Sequence, residues 1–361
     1  MKLNFKKTAV VVLISIGIFS CSKSDDTPTL EPDKPVMVTT FVGSTFGDFD
    51  AVGSNAKIGY PAGLVQDSQG NIYFTEFGNH KIKKIAPSGA VSTFAGTGEV
   101  GNVNGAAATA TFNRPNDITI DVNNNLFVSD SGNYKVRKIT PQGIVSDFAG
   151  STNGDQNVVA GAGSSALYAR FSGISGIVID NAGNIIVCDN GNSKIKKINA
   201  NGTVVSTLVG TIAGDVDGDA TTAQINPSFI TKDNQGNFYF TDGPYHKIKK
   251  ISGAGVVTTI AGSTRGDIDE SGTNAKFNNP TGIAINKDGT LFVTDQFNNK
   301  IKKISATGTV TTIAGNLAEG DVDGLADVAR FYYPVGILID LNGNLVISDF
   351  LNCKIKKITL K

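Results

Sequence analysis

TLFVTDQFNNKIKKI, residues 290–304, is one of six variants of the same phrase in this chain. It begins with a short run of β-branched and aromatic residues, passes through a polar four-residue turn and resumes with a second short apolar-cationic run. That is the pattern of two strands joined by a tight connection. The other copies are NIYFTEFGNHKIKKI (71–85), NLFVSDSGNYKVRKI (125–139), NIIVCDNGNSKIKKI (184–198), NFYFTDGPYHKIKKI (237–251) and NLVISDFLNCKIKKI (344–358). Their turn acids, Glu76, Asp130, Asp189, Asp242, Asp295 and Asp349, recur every 53 to 59 residues. Each copy follows a further strand-like piece and the first five also precede one, as PTGIAIN (280–286) and TVTTIAG (309–315) flank the fifth. A four-stranded unit repeated six times predicts an all-β fold, a six-bladed β-propeller.

The sixth copy lacks the final strand that reads VTTIAG elsewhere, and Val38-Thr39-Thr40-Phe41-Val42-Gly43 matches it. The amino-terminal strand is therefore expected to complete the last blade and pair edges that would otherwise lie open. The recurring pattern P-x-G-I-x-x-D, G-N-L-x-V-x-D and G-N-x-K-I-x-K-I resembles the NHL repeat. Local departures are Ile174, where other copies have Pro61, Pro115, Pro227, Pro280 and Pro334, and Phe229 in place of a glycine. The resemblance implies a propeller but no single activity, since NHL-like propellers include lyases, RNA binders and protein-binding scaffolds.

Residues 1–20 read as an export signal: Lys2, Lys6 and Lys7 precede an apolar run, Thr8 to Phe19, too short for a stable membrane span. Ile18-Phe19-Ser20-Cys21 resembles a bacterial lipobox, which implies lipidation at Cys21. Residues 21–36 are polar and proline-rich and predict a disordered tether; the propeller occupies 37–361. Ser22 after the cysteine favours an outer-membrane, lipid-anchored location in the cell envelope, and Asp25-Asp26 resembles a surface-export signal.

Lys plus Arg and Asp plus Glu both number 32, so no basic excess points to nucleic acid. The KIKKI stretches are read as a solvated, self-neutralised face, with the first lysine of each paired to the nearby turn acid and a bulge where consecutive lysines break the alternation.

GDVDG occurs at 214–218 and 320–324, in the long link between blades. Asp215, Asp217, Asp321 and Asp323 have counterparts in Asp48 and Asp50 and in Asp267 and Asp269. Since strands alternate in direction, these links are expected on the same face as the turns between second and third strands. D-x-D-G offers hard oxygen ligands, and calcium is the ion it invites, but the full calcium loop is absent from every copy. Recurrence in each blade favours a corner, with Asp and Asn bonded to their own backbone amides. His80 and His246 share one repeat position in opposite blades, an arrangement that cannot supply three ligands to a catalytic zinc. Cys188 is expected to be buried and too far from Cys353 for a disulfide.

The link before the third blade, Ser151 to Gly173, is longer than the others; Asp155, Asn157, Tyr168 and Arg170 mark it as a candidate partner-binding loop. Together these features predict a noncatalytic binding or scaffold module for a protein or glycan. The rival is a metal-dependent lyase or a gluconolactonase-like hydrolase. Unlike acids converging in the central channel would favour that rival, and six equivalent small or apolar residues would favour the scaffold.

Overall fold

The structure, a computed structural model, describes residues 36–360. The export signal, Cys21 and all of the tether but Val36 lie outside those residues. Blade 5 shows the unit: strands a (Pro280–Ile285), b (Leu291–Asp295), c (Lys300–Ile304) and d (Val310–Ala314) pair antiparallel in that order. Leu291, Phe292 and Val293 are all buried because neighbouring blades cover both faces of the sheet, which is why strand b shows no polar alternation. The b–c turn is a 3-10 turn, Gln296–Asn298, closed by Asn299 in the left-handed region. The expected bulge lies between strands c and d, where the register slips between Ile301 and Lys302.

Six such sheets stand in a ring. Their a strands, Pro61–Gln66, Pro115–Ile120, Ile174–Ile179, Ile230–Lys232, Pro280–Ile285 and Pro334–Ile339, line the axis, each against the next and the last against the first. Close approach there demands glycine: a Cβ on Gly282 would lie 2.1 Å from the Val335 carbonyl oxygen, and one on Gly336 2.0 Å from that of Ala62. A buried hydroxyl from strand b stitches five of the six gaps. Thr294 Oγ1 donates to Val335 O at 2.8 Å and accepts from Gly282 N at 2.7 Å, and Ser348 Oγ donates to Ala62 O at 2.7 Å. Cys188 occupies this position in blade 3 and is a buried free thiol, as is Cys353. There Ser175 Oγ and Gly176 N donate to Ser228 O instead. Apolar clusters fill the layers between blades, as where Phe292 and Ile301 meet Val38, Ile337 and Ile358.

Met37–Val42 pairs antiparallel with Lys354–Thr359, Val38 opposite Ile358, so the amino-terminal strand is strand d of the sixth blade and closes the ring. The links depart from expectation in one respect. Each begins beside the b–c turns, then descends the outer edge of strand d to the c–d turn on the opposite face before returning. In blades 2 and 6 the descending limb forms a short fifth strand, Gly105–Ala106 and Gly324–Leu325. In the others it makes single bridges such as Val52 to Ala90 and Ser271 to Thr309. The outer edges, which would otherwise present free backbone groups, are thereby capped. Among the described residues no helix is long and apolar enough to cross a membrane.

Candidate functional site

The acidic loops resolve into six charged spokes. In blade 5 the Asp295 carboxylate is buried at the end of strand b, where Oδ1 accepts from Asn278 N and Oδ2 from Asn298 Nδ2, both at 2.7 Å. Lys302, the second lysine of KIKKI, is fully buried with Nζ 3.7 Å from Asp295 Oδ2, 2.9 Å from Asp267 Oδ1 and 3.0 Å from Asp269 Oδ1. Its Nζ lies 5.4 Å from the Phe277 ring centroid, a cation–π contact. Asp267 also holds Lys300 at 2.5 Å, and Asp269 Oδ2 accepts from Thr312 N at 2.6 Å, a donor of the edge strand.

The same pattern joins Asp48 and Asp50 to Lys83, Asp215 and Asp217 to Lys249, and Asp321 and Asp323 to Lys356. In blade 3 Asp155 holds Lys194 and Lys196, while Asn157 donates to Thr207 Oγ1. Blade 2 has Asn102 and Asn104 in the link, and the missing charge comes from Asp147 on strand d, which pairs with Arg137 and Lys135. In blade 4 Tyr245 replaces the turn asparagine, and Asp242 Oδ2 has no hydrogen-bond partner.

Burial lifts Glu76, Asp242, Asp295 and Asp349 to about 7, against the pull of the nearby lysines. Burial alone would lower Lys302, but Asp267, Asp295 and Asp269 together raise it. Burial likewise opposes ionisation of Asp267 and Asp321, and hydrogen bonds from their lysines hold both below the ordinary carboxylate range.

Two expectations are thus corrected. The link aspartates bond to strand d and to lysines, not to their own turns, because the link lies across its blade. The second cation of each stretch, Arg137 in blade 2 and a lysine elsewhere, is buried rather than solvated, and in blade 5 it is Lys302, not the first lysine Lys300, that lies against the turn acid, Lys300 reaching the link acid instead. Calcium at these loops would have to take the link carboxylates from buried ammonium groups, whose nearest hydrogen-bonding acceptors they are, at a cost of several kcal/mol by the usual magnitude. Among the described residues no group of three or more His, Cys, Asp or Glu is disposed to hold a metal ion.

His80 and His246 sit in left-handed turn positions and are committed to the backbone: their Nδ1 atoms accept from Arg114 N at 3.0 Å and Asn279 N at 3.1 Å. Burial and the cations Arg114 and Arg265, respectively, keep both below the usual histidine value, hence neutral at pH 7. The long third link is pinned where Val158 pairs with Val205 and Ala166 N donates to Gly202 O. Its extra residues therefore lie by the c–d turn at the perimeter, away from the loops' acidic ends. Tyr168 is 64% exposed, and the Arg170 backbone pairs with Gln156 and accepts from Lys196 Nζ.

Along the axis the equivalent residues Leu64, Ile118, Ile177, Ile230, Ile283 and Ile337 line a cavity of about 250 Å³. The one acid among its lining residues is Asp117, buried where four other copies have glycine. Its Oδ1 accepts from Ile118 N and its Oδ2 from Ile177 N in blade 3, both at 2.9 Å, and burial lifts it to about 7. Sequence reasoning noted the Phe229 departure and missed this one, although the same column of the repeat displays it.

At the b–c face the channel opens into a larger cavity of about 420 Å³. Ala62 and Val335 lie at the starts of a strands and Phe229 just before one; Phe77, Ser131, Asn190, Gln296 and Phe350 are the first residues of b–c turns; Asn116, Ser175, Ser228 and Thr281 complete the rim. Tyr60 stacks on Phe350 with ring centroids 5.1 Å apart, and Phe46, 54% exposed, continues the row at 4.9 Å from Tyr60. No ionisable side chain is among the lining residues of this mouth.

A family model described as the NHL repeat matches residues 112–139, 171–198 and 277–302, in blades 2, 3 and 5. The chain is a six-bladed propeller carrying NHL repeats. NHL repeat-containing protein 2 of Homo sapiens is 40% identical over 96 residues, 26% of this chain and 13% of that protein. The chain therefore spans only a small part of that relative. An auxiliary nutrient binding protein from Bacteroides thetaiotaomicron superposes with a TM-score of 0.69 at 16% identity, covering 91% of this chain and 76% of that one. A streptogramin B lyase superposes with a TM-score of 0.56 at 16% identity, over 91% and 98%. Likeness at such identity speaks for the fold alone.

Proposed function

We propose that this protein is a lipid-anchored propeller of the cell envelope, at the outer membrane and facing outward, that captures a protein or glycan partner without transforming it. The observation that carries the reading is the channel itself. Six equivalent apolar residues line its middle, where the one acid, Asp117, has both oxygens bonded to backbone amides, and its mouth is ringed by amides, hydroxyls and aromatic rings with no acid, base or nucleophile pair. Acid–base or covalent catalysis needs such groups within hydrogen-bond reach of a bound substrate. The name of the Bacteroides neighbour, an auxiliary nutrient binding protein, agrees with a capture role. Lipidation at Cys21 and the tether after it would hold the ring at a membrane surface with its mouth free to turn.

The test is to incubate the full chain with panels of oligosaccharides, peptides, cyclic depsipeptides and sugar lactones, with and without divalent metal, measuring binding by calorimetry and products by mass spectrometry. Binding of a glycan or peptide without turnover is expected. Metal-dependent opening of a lactone or depsipeptide would overturn the reading in favour of the lyase or hydrolase alternative. Labelling with radioactive palmitate in a bacterial host, abolished by Cys21→Ala, tests the anchor.

A further inference from the structure

We infer that the channel mouth is a binding site for a neutral saccharide, an inference that rests on the binding-module reading and names its ligand. The site breaks the six-fold equivalence of the ring. The residue following each turn acid is Phe77, Ser131, Asn190, Gly243, Gln296 and Phe350 in turn, whereas the asparagine three residues after the acid recurs in five blades and is accounted for by the turn. The fold imposes no single residue type on the first position, and it places two phenylalanines side by side on blades 6 and 1, with ring centroids 6.0 Å apart. Facing them are amides and a hydroxyl from blades 2, 3 and 5.

Those polar groups are largely unspent. The Asn116 amide and the Ser131 hydroxyl make no side-chain hydrogen bond to the described residues. Asn190 uses only its Nδ2, toward Asn226 Oδ1 and Pro227 O, and Gln296 only its Oε1, which accepts from Asn279 Nδ2. An amide that both donates and accepts matches the paired donor and acceptor character of a sugar hydroxyl. The electron-rich face of an aromatic ring suits the weakly positive C–H face of a pyranose. The rings are braced from behind, Phe350 by Tyr60 at an interplanar angle of 17° and Phe77 by the Arg114 guanidinium 5.9 Å from its centroid.

Charge and edges exclude the other occupants. A phosphate, a carboxylate or an ammonium ligand would find no counter-ion among the lining residues. An extended peptide is usually captured by adding a strand to a free sheet edge, and here the links cap the outer edges. A cavity of about 420 Å³ falls within the ordinary range for small ligands, so it suits one or two sugar residues rather than a protein loop.

The full chain, in a detergent without a sugar headgroup, is screened against neutral oligosaccharides, acidic oligosaccharides and a peptide array. Hits are titrated calorimetrically against wild type, Phe350→Ala, Phe350→Trp and Asn116→Ala, with thermal melting as the check on folding. The expected result is binding of neutral sugars alone, weakened at least tenfold by Phe350→Ala and by Asn116→Ala with a cooperative melt retained in both, and kept by Phe350→Trp. Preference for acidic sugars, or neutral-sugar binding indifferent to all three substitutions, overturns the inference. Peptide binding lost in Phe350→Ala overturns the saccharide assignment and leaves the binding-module reading standing. Binding of nothing on any array overturns both.

Discussion

Lys302 and its equivalents show what one side chain does in a closed ring. Removing it leaves Asp295 buried without its cation, whereas removing a link acid exposed to solvent leaves the other carboxylates in place. Lys302→Ala is expected to cost about 3–5 kcal/mol, read from the denaturant midpoint, and Asp269→Asn no more than about 1 kcal/mol. Equal costs would mean that the spoke is not centred on the lysine. Asp117 gives a pH signature. Its folded pKa, about 7, stands above the ordinary carboxylate value near 4. Its contribution is therefore fully present below pH 4 and is lost as pH rises through 7. Asp117→Asn removes that loss, so the variant gains stability relative to wild type between pH 5 and pH 8. Urea midpoints at the two pH values check this, and a constant difference would contradict it. The Asp117 anomaly was legible, since glycine fills the column in four other copies. The pairing of Lys83 or Lys302 was not, because alternation along KIKKI says which face a lysine occupies but not that a distant link will cover it.

Strand Met37–Val42 is the element on which closure depends. It satisfies the edge of Lys354–Thr359, buries Val38 and Val42, and supplies Thr40 N to the Asp323 carboxylate at 2.7 Å. A chain shortened to begin at Gly43 should leave that edge open and self-associate, while one beginning at Pro35 should stay monodisperse, as size-exclusion chromatography with light scattering would show. Monodisperse behaviour of both would mean that closure does not need this strand. The missing VTTIAG of the sixth copy, matched by VTTFVG at 38–43, made this element readable before any coordinates. The path of the links was not readable. Strand alternation places their two ends on one face, but it is the bridges, such as Gly218 to Val257, that carry the middle of each link to the other.

At the scale of the whole molecule the ring divides its labour. Six charged spokes fasten links to blades, and the six-fold equivalence of the ring is broken at Asp117 on the axis and at the uncharged mouth of the channel. Repetition made the architecture legible, because each blade restates the same hydrophobic and turn pattern. It hid the mouth, because the residues that line it, Phe77, Asn116 and Phe350 among them, occupy columns where copies differ and periodicity is silent. The claim that the GDVDG loops serve as counter-ions to buried lysines, leaving recognition to the mouth, is tested most directly by calorimetric unfolding of the chain in EDTA and then in millimolar calcium. The expected result is one melting temperature under both conditions. A ligand bound only to the folded state at a hundredfold excess over its dissociation constant would add about 2.7 kcal/mol. An upward shift of that order, abolished by Asp215→Asn with Asp217→Asn, would contradict the claim and make the loops the working surface.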